Sequence, residues 1–291
     1  MPPLDRRSLF ELYWFATRVK LKTMSLPGKH FLHNLVERRT LLFQLVRRDF
    51  EQRFIGSAAG WLWGVIHPLV LLVSWVFVFQ LCLHTELPAN EVTQNYSLFL
   101  FCGFLPWLLF QETVMRSASS LLDHANLITK TVFPAEIVPV SIFLSSLINH
   151  LMALGLVIAV VGFYVGHFSV WMLSLPVYML LLGFFAVGVG WIVASLQVYL
   201  RDTAQVISVV LTFWFWMTPI FIDEQRFPEG LRFLPRINPL AYLVRAYRER
   251  LLSYRFPDWT EFALIGAYGL STFVIGGLFF RHLKRGFADV L

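Results

Sequence analysis

The sequence predicts an all-α polytopic membrane protein with six transmembrane helices, an N-terminal amphipathic interface helix and a re-entrant helical hairpin between spans five and six. The first observation is hydropathy: the 291 residues have a mean hydropathy of +0.64 and only 14% are charged, against about a quarter in soluble domains. The second is a set of nearly uncharged runs of about 20 residues. The third is the uneven distribution of Lys and Arg between those runs.

Six apolar runs are long enough, or nearly so, to cross a bilayer. Their predicted bounds are 60–83, 96–115, 137–165, 170–198, 206–222 and 259–280. The fifth run is short and ends at Thr218-Pro219. Residues 1–59 are too few and too polar to build a substantial core, so the sequence predicts two parts. These are a cytoplasmic N-terminal segment, 1–59, which contains the interface helix, and a six-helix transmembrane domain, 60–291.

Basic residues indicate the orientation of the spans. The segment 1–59 is rich in Lys and Arg, the loop 84–95 contains neither, and Arg281, Lys284 and Arg285 follow the last span. Because Lys and Arg concentrate on the cytoplasmic side of a membrane, these segments predict six crossings with both termini in the cytoplasm.

The segment 223–258 departs from this rule, since it is expected outside yet contains several arginines. Either the fifth span is misplaced or the segment folds against the membrane as its own unit; its acidic residues offset much of the charge and favour the second explanation. The pair Asn238-Pro239 marks a turn, and Arg245 and Arg248 lie between apolar residues at helical spacing. Those apolar residues are Leu240, Leu243, Val244, Tyr247 and Leu251. The pattern predicts a helical hairpin that dips partway into the outer leaflet.

A basic amphipathic helix precedes the first span, with Arg47 and Arg48 beside an apolar stripe. The stripe consists of Phe43, Val46, Phe50 and Phe54. A helix of this kind lies in the membrane interface, either as a simple anchor on anionic lipid or as a surface for a cytoplasmic partner as well. The segment 116–136 leaves a similar choice between a solvated loop and a docking helix, because a bare connector could be much shorter.

Aromatic side chains crowd the outer half of the fifth run. They are Phe213, Trp214, Phe215, Trp216 and Phe221. Trp and Tyr are enriched at the interface of any membrane protein, so anchoring is one interpretation. The other is a surface for carbohydrate, because aromatic rings stack on the C–H faces of sugars and because Phe has no need of the interface.

Several chemistries lack their motifs in the 291 residues. There is no GxxxxGK[ST] phosphate-binding loop, so the chain is not expected to hydrolyse ATP by itself. No residues have the spacing of metal ligands, so neither a metal site nor a cofactor is expected. The net charge of +6 follows the topology of the spans, so no nucleic-acid partner is expected.

A series of short motifs runs from the helix before span one to the hairpin. They are Arg47-Arg48-Asp49-Phe50, Arg53-Phe54-Ile55-Gly56-Ser57, Gly60-Trp61-Leu62-Trp63, His67-Pro68, Phe104-Leu105-Pro106-Trp107, Lys130 with Phe133-Pro134, Arg201-Asp202, Thr218-Pro219-Ile220 and Asn238-Pro239-Leu240. In this order and spacing, from about residue 38 onward, the chain resembles the membrane subunits of bacterial ABC exporters of polysaccharides. That family carries O-antigen, capsule and teichoic acid polymers.

The resemblance implies a complex of two membrane subunits and two ABC ATPase subunits in the bacterial inner membrane, with ATP bound by the partner. The implied ATPase contacts are Arg47, Arg48, Asp49, Arg53, Asp123, His124 and Lys130. An undecaprenyl-linked polysaccharide would pass between two copies of the chain, beside spans one and five. The implied path residues are Trp75, Phe213, Trp214, Trp216 and Phe221. The outer re-entrant helices correspond to residues 225–254, with Asn238, Pro239, Arg245 and Arg248.

O-antigen is the polymer expected from this resemblance, and capsule and teichoic acid remain alternatives. Three other classes stay open: an exporter of small lipids or drugs, a membrane glycosyltransferase, and a passive assembly scaffold. No acidic pair is placed to bind a sugar donor, which counts against the glycosyltransferase.

Overall fold

The computed structural model describes residues 38–53, 55–88, 91–130, 133–166, 168–253 and 258–291. The chain divides into two compact units, 1–42 and 43–291. Of the first unit, the structure describes only residues 38–42, which begin the first helix. Every regular element in the described ranges is helical, so the predicted all-α class is confirmed.

Eleven α-helices occur in the described residues. They are α1 (Arg39–Gln52), α2 (Trp63–Val76), α3 (Tyr96–Asp123), α4 (Ala125–Lys130), α5 (Ile137–Val165), α6 (Leu175–Tyr199), α7 (Thr203–Met217), α8 (Phe233–Ile237), α9 (Pro239–Leu252), α10 (Trp259–Leu283) and α11 (Phe287–Val290). A 3-10 turn, Gly60–Leu62, precedes α2, and a π-helical stretch, Phe77–Cys82, follows it. Further 3-10 turns are Val170–Ser174, Glu224–Arg226, Glu229–Leu231 and Lys284–Gly286.

Five helical stretches of the described chain are long and apolar enough to span a membrane. They are Gly60–Cys82, Tyr96–Asp123, Ile137–Val165, Val170–Tyr199 and Trp259–Gly286. The predicted fifth span, 206–222, is wrong in its bounds: α7 has 15 residues and ends at Met217, about 22 Å against the roughly 30 Å of a bilayer core. Pro219 explains the end, because a proline disfavours helical geometry in the residue before it, and Thr218 is extended.

The predicted second span is also wrong in its bounds, because α3 continues from residue 115 to Asp123. No Gly or Pro interrupts residues 116–123, so the helix propagates. For 116–136, where the sequence left a choice between a solvated loop and a docking helix, the described residues form a separate helix, α4, which is only six residues long. We name the two ends of the helix bundle after α3: the Asn95 end, where Asn95 caps the helix, and the Arg116 end.

The helices α3 and α6 form the centre of the second unit. Phe99 and Phe110 of α3 and Leu182 of α6 are fully buried. The helix α3 packs against α5, α6 and α9, while α6 also packs against α10. The buried faces of α3 and α6 therefore form the scaffold on which the other spans lie.

Glycines bring α6 and α10 into backbone contact. A Cβ on Gly188 would lie 2.5 Å from the carbonyl oxygen of Thr272, and one on Gly269 would lie 2.8 Å from that of Leu181. A Cβ on Gly276 would overlap the carbonyl oxygen of Gly188. Small residues permit this close approach of membrane helices, so the α6–α10 seam depends on the absence of side chains.

In contrast, α2 and α7 are largely exposed in the single chain. Val73 of α2 is 61% exposed, and Phe213 and Trp216 of α7 are 68% and 56% exposed. Only Leu72 of α2, and Thr203 and Leu211 of α7, are buried. These two helices thus present apolar faces that the described part of the chain leaves exposed.

Candidate functional site

A cavity of about 580 Å³ lies between α2, α3, α5 and α7, within the range of about 300–1,000 Å³ that is usual for ligand sites. Near the Arg116 end its lining includes Arg53, Glu112 and Arg116. The rest of the lining combines the aromatic rings of Trp63, Trp75, Phe104 and Phe215 with aliphatic residues and with polar side chains that include Asn149 and His150. The cavity therefore joins a charged region to an aromatic one.

Four charged residues form an ion cluster at the Arg116 end: Asp49, Arg53, Glu112 and Arg116. Arg116 donates two hydrogen bonds to the Asp49 carboxylate, at 2.9 and 2.5 Å. Arg53 pairs with Glu112, donates to the Ser146 hydroxyl at 3.0 Å and lies 3.5 Å from Asp49. The cluster ties the end of α1 to α3 and α5, and its two positive and two negative charges balance.

Asp49 is ionised at neutral pH. Burial raises the pKa of its carboxyl group, but the hydrogen bond and charge of Arg116 and the charge of Arg53 together outweigh burial, and the pKa lies below its ordinary value. The Arg53 side chain is only 12% exposed, so solvent screens the cluster weakly. Removing one member leaves its partner partly buried without a counter-charge, which typically costs about 3–5 kcal/mol for a buried pair.

The inward face of α1 differs from the predicted apolar stripe. Leu45 is 7% exposed and shares this face with Asp49 and Arg53, at spacings of four residues. Phe43, from the predicted stripe, is 67% exposed, and Phe54 lies outside the described residues. Val46 and Phe50 of the stripe are partly buried, as Asp49 is. The stripe therefore overlaps the inward face and missed its charged members, because it ranked positions by hydropathy.

The other predicted ATPase contacts lie at the surface. Arg47 and Arg48 are exposed, and Arg47 pairs with Glu51 at 2.7 Å. Asp123 and Lys130 are exposed at the ends of α3 and α4. His124 lies between those helices, with its Nδ1 2.8 Å from the Ser120 carbonyl oxygen. These residues remain predicted contacts.

Trp75 lies at the centre of an aromatic cluster. Its ring centroid is 4.6 Å from that of Phe104, 4.9 Å from that of Phe221 and 5.4 Å from that of Phe215. The first two pairs are edge-to-face, a favoured geometry for aromatic rings. The cluster connects α2, α3, α7 and residue 221, so predicted path residues from distant parts of the sequence do meet.

The predicted path residues of α7 point in two directions. Phe213 and Trp216 are exposed, and Trp216 stacks on the buried ring of Phe221 at 5.0 Å. Trp214 turns into the bundle, where its Nε1 donates to Asn238 Oδ1 at 3.0 Å and its ring lies 5.3 Å from Phe110. Successive helix positions are about 100° apart, which is why neighbouring aromatics face different surroundings.

At the Asn95 end, α9 inserts a buried arginine against α3. Arg248 is 6% exposed; it donates to the carbonyl oxygen of Phe99 at 3.1 Å and to that of Ile220 at 2.7 Å. Its guanidinium lies 3.4 Å from the centroid of the Phe99 ring, a cation–π contact. Gly103 leaves room for it, since a Cβ there would be 2.6 Å from Arg248 Nη2. The sequence pattern placed Arg248 between the apolar residues of the helix, and it did not predict this burial.

The start of α9 is confirmed at the predicted turn. Pro239 is the first helical residue, and Asn238 caps the helix by accepting a hydrogen bond from the Leu240 N–H at 3.0 Å. The apolar residues predicted to share one face are all buried: Leu240, Leu243, Val244, Tyr247 and Leu251. Arg245 pairs with Glu224 at 2.5 Å and also with Glu261, so it ties α9 to α10.

The loop before α3 carries the carboxyl group of Glu91, which interacts electrostatically with Arg248. Burial, followed by a hydrogen bond with the side chain of Asp223, raises the pKa of Glu91 to about 7, while the charge of Arg248 opposes the rise. Nothing in the sequence singled out Glu91, because Asp223 lies 132 positions away along the chain.

The hydroxyl group of Tyr247 on α9 lies 3.1 Å from Nε2 of His150. His150 is 4% exposed and lies near the middle of α5. The side chains of α9 thus reach the middle of a predicted span.

The described residues contain no group of three or more His, Cys, Asp or Glu side chains that could hold a metal ion.

Comparisons with known proteins identify the family of the chain. The ABC-2 type transporter family matches residues 40–252. An O-antigen export system permease protein, RfbA, from Myxococcus xanthus is 29% identical over 261 residues, which cover 89% of this chain and 98% of that protein. One from Klebsiella pneumoniae is 28% identical over 269 residues, covering 92% of this chain and all of that protein. The family match covers most of the chain, and the chain therefore belongs to the ABC-2 type transporter family.

Proposed function

We propose that this chain is the membrane subunit of an ABC exporter that moves lipid-linked O-antigen polysaccharide from the cytoplasm across the bacterial inner membrane. The observation that carries the proposal is the cavity beside Trp75, where aromatic walls meet a charge-balanced polar region. Its support from outside the structure is the family match and the printed function of the relatives. ATP is hydrolysed by a separate subunit, because these 291 residues contain no phosphate-binding loop.

The chain crosses the membrane six times in this proposal, with both termini in the cytoplasm. The helix α7 and the non-helical residues 218–222 together make the fifth crossing. Residues 225–252 form the re-entrant hairpin, supported by the burial of Arg248 and by the contact of Tyr247 with His150. The helix α1 lies in the membrane interface on the cytoplasmic side.

Two copies of the chain enclose the conduit. The exposed apolar faces of α2 and α7 supply the surface that two copies would share, and Phe213 and Trp216 lie on it. Aromatic rings offer stacking contacts without demanding one arrangement of hydroxyl groups, so a repetitive glycan can advance along them. Charge balance in the ion cluster keeps the charged end of the cavity from holding an anionic group tightly.

Nucleotide-driven closure of the ATPase pair moves α1, and the ion cluster transmits that movement to the bundle. Asp49 and Arg53 at the end of α1 pair with Arg116 and Glu112 of α3, so a displacement of α1 acts on both α3 and the first span that follows it. The span α2 shares little buried surface with the rest of the chain, so it can shift without unpacking the core.

The test is export by a host strain that lacks this gene and carries a Trp216→Ala or Phe213→Ala variant. Surface polysaccharide should fall while the chain still co-purifies with its ATPase. Phe163→Ala is the matched control, because Phe163 is also an exposed ring, at 84%, but lies on α5 and not on the exposed faces of α2 and α7. Unchanged surface polysaccharide in both α7 variants, or equal loss in the control, would count against the aromatic path.

A further inference from the structure

The helix α4 is too short to hold its own conformation. It has six residues, and isolated helices shorter than about 12–15 residues are marginal in water. Four of its six side chains are exposed in the described part of the chain: Asn126, Leu127, Thr129 and Lys130. Its neighbours in the fold include α3, which precedes it in the sequence, and α11, which lies about 160 residues later.

The helix α11 is fixed to the bundle by one aromatic side chain. Phe287 is 1% exposed, and its ring centroid is 5.4 Å from that of Phe280 on α10 and 6.1 Å from that of Tyr199 at the end of α6. A four-residue helix is normally poorly ordered unless it is tied down, and the burial of Phe287 supplies that attachment.

Polar contacts fix the turn between α10 and α11. Tyr199 donates its hydroxyl hydrogen to the carbonyl oxygen of Leu283 at 2.9 Å, and a Cβ on Gly286 would lie 2.6 Å from that hydroxyl oxygen. Lys284 pairs with Glu136, immediately before α5. The turn therefore joins the ends of α6 and α10 to the start of α5 at the Arg116 end.

We propose that residues 284–290 position α4 for the ATPase subunit, with Phe287 as the positioning residue. This inference rests on the proposed function, since it assigns the orientation of one of the docking elements to a part of the chain that follows the last span. The segment contacts α4, and the side chains of Leu127 and Lys130 on α4 are exposed in the described part of the chain.

The physical argument is that docking requires α4 in one orientation before the partner arrives. If α4 is loose, binding must order it, and the ordering cost is subtracted from the coupling between ATP hydrolysis and movement of the bundle. Both α3 and α11 contact α4, so we expect the contact with α11 to limit rotation of α4 about its junction with α3.

The test measures the mobility of α4 and the activity of the full complex in a Phe287→Ala variant. A nitroxide label is attached at Asn126→Cys in a Cys82→Ser background; Cys102 is fully buried and does not compete for the label. We expect the label to become more mobile and substrate-stimulated ATP hydrolysis to fall by about fivefold or more, while the ATPase still co-purifies. Phe287→Leu, which keeps an apolar side chain at the site, should restore both.

Phe273→Ala is the matched control, because it also removes a packed ring. Phe273 lies on α10 against Trp191 and Phe184, about 10 Å along that helix from Phe280. An equal rise in label mobility and an equal loss of ATP hydrolysis in both alanine variants would reduce Phe287 to a general packing role and overturn the proposal. No change in label mobility in Phe287→Ala would overturn it as well. The mobility measurement needs no ATPase, so failure to co-purify an ATPase would instead refute the proposed function.

Discussion

Replacing Gly103 by alanine tests whether Arg248 secures the hairpin helix to α3. The new Cβ would lie 2.6 Å from Arg248 Nη2, about 0.8 Å inside ordinary contact. A displacement of that size lengthens the bond from Nη2 to the Ile220 carbonyl oxygen from 2.7 Å to about 3.5 Å, where a hydrogen bond is effectively lost. A hydrogen bond from a charged group is worth about 1.5–3 kcal/mol.

The helix propensity of alanine opposes this loss by up to about 1 kcal/mol, so Gly103→Ala should destabilise the protein by about 1–2 kcal/mol. Gly266→Ala is the control, because nothing lies within 4 Å of the position its Cβ would take, and that variant gains the propensity without the clash. Thermal unfolding of the purified protein, followed as loss of the monodisperse fraction, should separate the two variants by about 3 °C or more.

Introducing Gly103→Ala into an Arg248→Ala background completes a double-mutant cycle. Without the guanidinium, Gly103→Ala should no longer be destabilising. If Gly103→Ala is as stable as Gly266→Ala, or if its cost persists without Arg248, the assignment of Arg248 as the contact that Gly103 accommodates is wrong.

Three further outcomes are expected. Exchanging the charges of Asp49 and Arg116 in the double variant should restore export that each single charge reversal reduces by about tenfold or more, as measured by surface polysaccharide, since each reversal places two like charges together. Trp214→Ala should lower thermal stability by about 3–5 kcal/mol, because Trp214 is packed in the bundle and bonded to Asn238. The pKa of Glu91 is raised from its ordinary value of 4.5 to about 7, so its stabilising contribution is fully present below about pH 4.5 and is lost as the pH rises to about 7; melting temperature should fall between about pH 4.5 and 7, and Glu91→Gln should flatten the fall.

The sequence predicted the helical class and most span positions, because uncharged runs of 20 residues have few alternatives in a membrane protein. It placed the helix start at Pro239 because Asn is a favourable N-cap residue and Pro is favoured at the first helical position. It missed the end of α7 by five residues: the apolar pattern continues through Ile220 and Phe221, while the backbone is already bent at Thr218.

The candidate site was harder to predict, because it depends on contacts between distant segments. The sequence could name Asp49 and Arg53 but not their partners in α3, and it did not predict that Arg248 is buried. The signals were present in weak form: charged residues at a spacing of four on α1, and arginines between apolar positions on α9. Only the packing of α1 and α9 against α3 decides which of those charges are buried.

The α6–α10 seam has a consequence for how transport strokes are divided within one subunit. Two helices that touch through carbonyl groups cannot rotate past each other, because a turn of a few degrees would bring backbone atoms into overlap. The helices α6 and α10 therefore act as one rigid body. In the proposed transport cycle, displacement is left to α2 and α7, so the helices proposed to meet the sugar are also the ones proposed to move.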